Sequence, residues 1–79
     1  MNGGSRVSKA EAESRVLDEW RAWKEANVPA DGTPTAKYEG RLFFGHLERN
    51  KHHLLRFNSA DDKWQVIKGW LLNAGALTD

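Results

Sequence analysis

The chain has 79 residues, 39% hydrophobic and 29% charged, with a formal net charge of +1. That is enough for one small core and argues against a strongly electrostatic nucleic-acid binder. Cysteine is absent, which excludes disulfides and thiolate zinc sites, so burial must rest heavily on Trp20, Trp23, Trp64 and Trp70, roughly 150 to 250 Å² each. No apolar run approaches the roughly 20 residues that span a bilayer and the first residues lack the apolar stretch of a secretory signal, so a soluble, cytoplasmic protein with no membrane partner is expected.

In chain order, residues 1–7 contain the triplet Gly3, Gly4, Ser5 and read as a flexible tail, leaving one helical domain over residues 8–79. The text SKAE then forms a capping box. Ser8 can accept from the Glu11 amide while Glu11 reaches back to Ser8. Val16, Leu17, Trp20 and Trp23 follow at helical spacing among charged residues, predicting a first helix over 8–27 that stops at Asn27, Pro29 and the Asp31, Gly32 pair.

A second helix is predicted from residue 34 to 50, with Thr33 as cap and Pro34 in the first helical position, where a missing amide costs nothing. Tyr38, Leu42, Phe43, Phe44 and Leu47 supply its apolar residues. Gly40 and Gly45 oppose the helix by up to about 1 kcal/mol each, which points to a close approach or a break at one of them. Residues 51–57 either extend this helix to 57 or form a connection. Asn58 and Ser59 ahead of Ala60, Asp61 and Asp62 predict a third helix over 60–74, with Trp64, Ile67, Trp70, Leu71 and Ala74 inward and Gly75 as its stop. The expected fold is therefore all-α, with three principal helices.

The three histidines do not make a metal site. On a continuous helix His46 and His53 share a face but stand roughly 10 Å apart along the axis. Metal–nitrogen bonds are about 2.1 Å long, and the adjacent His52 and His53 diverge. No cysteine nucleophile, GxSxG elbow or phosphate-binding glycine loop is present, and GRLFFG lacks the following Lys and Ser or Thr. The adjacent Asp61 and Asp62 suit a helix start rather than a shared acid site. No enzymatic activity, cofactor, metal or small-molecule substrate is expected.

Two kinds of binding remain. Charge is concentrated in residues 35–57, where five basic side chains oppose Glu39 and Glu48 to give +3. If the second helix continues to 57, His46, Arg49, His53 and Arg56 form one stripe at steps of three, four and three. With Arg41 and Lys51 they are the candidate nucleic-acid contacts. The alternative is a regulator, adaptor or inhibitor acting through a protein partner or self-association. Trp70 and Leu72 lie about 200° apart on a helix and cannot share one core, and Phe43 with Phe44 poses the same problem. Phe44, Trp70 and Leu72 are thus the interface candidates. The near-neutral charge and the lack of a nucleic-acid motif favour the protein partner.

Overall fold

The computed structural model describes residues 8–57 and 59–78. The expected tail, residues 1–7, lies outside them. Three α-helices follow in order among the described residues, α1 (Lys9–Asn27), α2 (Glu39–Asn50) and α3 (Lys63–Asn73), with a 3₁₀ turn, His52–Leu55, between the second and third. Among the described residues, no helix is long and apolar enough to cross a membrane.

α1 begins as its capping box requires, with the Glu11 amide donating to Ser8 Oγ at 3.1 Å. The Glu11 carboxylate accepts from Arg15 at 2.7 Å, one turn further along the helix. Ala12, Val16 and Trp20 repeat every four residues and are buried, while Leu17 and Trp23 flank them half-buried. The helix ends at Val28, whose extended backbone is what a residue before proline adopts.

α2 starts five residues later than Thr33 and Pro34 suggested. The reason is a parallel bridge between Thr35 and Thr78. The Ala36 amide donates to the Thr78 carbonyl at 2.8 Å and the Thr78 amide to the Pro34 carbonyl at 2.9 Å, which diverts the backbone groups a helix from residue 34 would use. Thr35 then organises the true start. Its hydroxyl accepts from the Tyr38 amide, and the Glu39 carboxylate accepts from the Thr35 amide at 2.9 Å.

Neither does α2 continue to residue 57. Lys51 leaves helical geometry (φ −136°, ψ 41°), and the chain turns through the 3₁₀ segment. On a continued helix Leu54, Leu55 and Phe57 would spread over roughly 160° of arc at 100° per residue. The break brings all three into the core, with Phe57 5.0 Å from the Trp70 ring.

α3 also starts late. Ser59 both accepts from the Asp61 amide and donates to the Asp61 carbonyl, so it closes a local turn instead of capping a helix. Asp62 is the cap, accepting from the Trp64 amide at 3.1 Å. At the other end Gly75 (φ 72°) takes the left-handed conformation. The Ala76 amide donates to the Leu71 carbonyl and the Gly75 amide to that of Leu72, the two bonds of a Schellman stop.

The core joins Ala12, Val16 and Trp20 of α1, Phe43 and Leu47 of α2, and Ile67, Trp70 and Leu71 of α3. Leu54, Leu55 and Phe57 close one side of it, and Ala36 packs from the α1–α2 connection and Leu77 from the segment after α3. No polar or charged side chain among the described residues is buried, so the core itself is held by apolar packing.

Candidate functional site: the outer face of α2 and the Trp64 cleft

The inner face of α2 is set by Gly40, Phe43 and Leu47, all buried. At 100° per residue, Tyr38 and Leu42 fall on the opposite side, about 40° from each other and one turn apart. They are the two large hydrophobic side chains left exposed among the described residues, Tyr38 at 64% and Leu42 at 48%. Arg41, three residues beyond Tyr38, leads from this ridge towards α3.

There the Trp64 indole leans across α2, its ring edge near enough to Gly40 that an added Cβ would stand 3.2 Å from it. The Arg41 guanidinium lies 5.3 Å from the Trp64 ring centroid and Lys68 Nζ 6.0 Å from it, within reach of cation–π attraction. Phe44 packs on the same indole at 5.6 Å. Ala36, Lys37, Arg41, Trp64 and Lys68 line an open cleft of about 170 Å³. Among the described residues the lining holds three cations and no acid. The salt bridges among the described residues join Arg15 to Glu11, Arg21 to Asp18, and His46 to Glu19, so none of these three cations is matched by a carboxylate there.

The residues singled out from the sequence are dispersed. Arg41 belongs to the cleft, whereas the stripe through His46, Arg49, His53 and Arg56 is interrupted when α2 ends at Asn50. His46 is turned inward. It stacks near Phe43, and its Nε2 donates to the Glu19 carboxylate at 2.8 Å, tying α2 to α1 with both side chains three-quarters buried. The Arg49 guanidinium folds back beside Gly45, where an added Cβ would meet it at 3.2 Å. Lys51 sits at the break, and His53 and Arg56 are exposed on the turn beyond it. No three His, Asp or Glu side chains among the described residues are gathered to hold a metal ion.

Of the interface candidates, Trp70 is only 9% exposed and faces the core, so the surface residue in that run is not the tryptophan. Leu72 and Phe44 are half-buried and packed against the core. Trp70 and Leu72 thus meet the same core despite lying about 200° apart, contrary to the expectation that they could not share one.

Tyr38, Leu42, Lys37, Trp64 and Lys68 were not singled out from the sequence. Their signal was spacing: Tyr38 with Leu42, Lys37 with Arg41, and Trp64 with Lys68 are each four apart. Tyr38 and Leu42 sit about 100° or more from the Phe43 and Leu47 face with which composition groups them.

Searches against family models, curated proteins and solved structures found no match to this chain.

Proposed function

We propose that the protein is a non-catalytic binding module, a regulator, adaptor or stoichiometric inhibitor working in the cytoplasm, which takes hold of a protein partner through the outer face of α2. The observation that carries this reading is the exposed Tyr38 and Leu42 pair, adjacent on one face, while every other large apolar side chain among the described residues is buried or half-buried. Aromatic side chains are the usual anchors of protein interfaces.

Magnitudes define what the ridge can do. Fully burying a tyrosine and a leucine yields together at most about 3 to 6 kcal/mol. Association itself costs about 4 to 15 kcal/mol. The pair can therefore anchor a partner but not hold it unaided, and the cations beside it become part of the same surface. Nucleic-acid binding along residues 46–56 has less support, since its contiguous stripe depended on a helix that stops at Asn50.

The test compares the wild-type chain with a Tyr38→Ser, Leu42→Ser double variant in affinity purification from cells of the source organism and in sedimentation equilibrium. The expected result is an unchanged thermal midpoint with loss of the captured protein or of self-association. A wild-type chain that stays monomeric and retains no protein, or a double variant that retains the same protein, overturns the reading.

A further inference from the structure

We infer that the cleft lined by Lys37, Arg41, Trp64 and Lys68 is an anion-binding subsite, seating a phosphate or carboxylate group borne by the peptide segment whose apolar side chain rests on Tyr38 and Leu42. This rests on the reading of the α2 face as a protein-binding surface and specifies the partner's chemistry.

Three features of the cleft favour an anion. Among the described residues its lining carries three positive charges and no negative one, a local excess that contrasts with the whole chain's +1. The two cations over Trp64 are held near its ring, at 5.3 and 6.0 Å, so their positions are partly set before a ligand arrives. Finally, a ligand anion would supply what no described carboxylate supplies to Lys37, Arg41 or Lys68.

Size narrows the ligand. About 170 Å³ corresponds to roughly five to six waters at about 30 Å³ each, below the roughly 300 to 1,000 Å³ of pockets that enclose a whole small molecule. One anionic group fits; a complete cofactor does not. A larger groove of about 390 Å³ at the end of α1 is less suited, because Glu25 lines it and its Arg21 is already bonded to Asp18.

The neighbourhood then separates a peptide from a nucleic acid. A strand of nucleic acid presents phosphates in series and calls for a track of cations. Here the surface beside Arg41 continues as the apolar Tyr38 and Leu42 ridge. An acidic or phosphorylated side chain one or two residues from an apolar one matches that order.

The test begins with sodium phosphate titrated against sodium chloride at equal ionic strength, followed by ¹H–¹⁵N correlation spectra of the intact chain. The expected result is a saturable shift of the Trp64 indole N–H and of the Lys37, Arg41 and Lys68 amides, weakened at least tenfold by Lys37→Gln with Arg41→Gln. Lys68→Gln provides an independent variant, and unchanged Trp20 and Trp70 indole signals report an intact core. A non-saturable response, or one unaffected by these variants, overturns the inference. A second arm compares a leucine-flanked phosphoserine hexapeptide, its glutamate and unmodified serine forms, and a ten-residue oligothymidine. At least fivefold tighter binding of the phosphoserine or glutamate peptide than of the serine peptide, reduced by the cation variants, supports it, and the ratio between those two names the anion. Tighter binding of the oligothymidine, also lost in those variants, overturns the peptide assignment. The phosphate response does not need Tyr38 or Leu42, so it can fail or survive separately from partner capture.

Discussion

At the scale of single residues, the glycines divide by what surrounds them. A Cβ on Gly40 would meet Leu77 Cδ1 at 3.0 Å and Trp64 Cη2 at 3.2 Å, both parts of packed side chains. Gly40→Ala is therefore expected to lower stability by about 1 to 3 kcal/mol, the range for overpacked sites. Gly69, inside α3, has nothing within 4 Å of the same position. Gly69→Ala should raise stability by up to about 1 kcal/mol through helix propensity alone. Urea denaturation of the two variants checks both signs. Glu39 gives a pH prediction. The Thr35 amide, then the Glu39 amide itself, and less strongly the Thr35 hydroxyl stabilise its ionised carboxylate, holding it below the ordinary glutamate range. A carboxyl lowered on folding adds stability above its unfolded-state titration that disappears as pH falls through the folded-state value. The wild type should thus lose stability on acidification more than Glu39→Gln does, with the two curves converging below the glutamate range. Parallel curves through that range would show that Glu39 contributes nothing.

At the scale of elements, helix existence was legible from spacing, and helix starts were legible only where the cap is local. Ser8 caps α1 as the text SKAE implies, and Gly75 stops α3 in the conformation its type favours. The other two starts failed for different reasons. Thr33 and Pro34 make a valid local signal that loses to a pairing with Thr78, more than forty residues away and invisible to any short window. Ser59 lost to Asp62, another good cap three residues on, because the serine could satisfy itself within a turn. This difference is measurable. Asp62→Ala should cost about 0.5 to 2 kcal/mol as loss of a helix cap, whereas Ser59→Ala, outside the helix, should cost less. Equal shifts in the urea midpoint would return the start of α3 to Ser59. The break at Lys51 was readable in principle, since Leu54, Leu55 and Phe57 cannot all face one side of a continuous helix. Deciding it required knowing that Trp70 waits opposite Phe57.

At the scale of the whole molecule, folding and binding draw on different aromatics. A chain this short buries a limited fraction of its surface and has no disulfide to restrict its unfolded state, so its stability belongs near the lower end of the usual 5 to 15 kcal/mol. Composition showed the supply of large side chains but not their assignment. Trp20 meets Phe43 edge-on at 5.1 Å, joining α1 to α2, and Trp70 meets Phe57 at 5.0 Å, joining α3 to the segment after the 3₁₀ turn. Tyr38 and Leu42 remain outside that network. Trp70→Ala should therefore cost about 3 to 5 kcal/mol, enough to populate the unfolded chain measurably at ambient temperature. Tyr38→Ser and Leu42→Ser, exposed and outside the core cluster, should each stay within about 0.5 kcal/mol of the wild type. Denaturant melts of all three, run beside the sedimentation measurement, place each residue on one side of the division. A destabilisation of several kcal/mol by Leu42→Ser would make the outer face of α2 a structural surface and remove its claim as a docking ridge. A folded Trp70→Ala chain with altered association would instead restore that tryptophan as an interface residue.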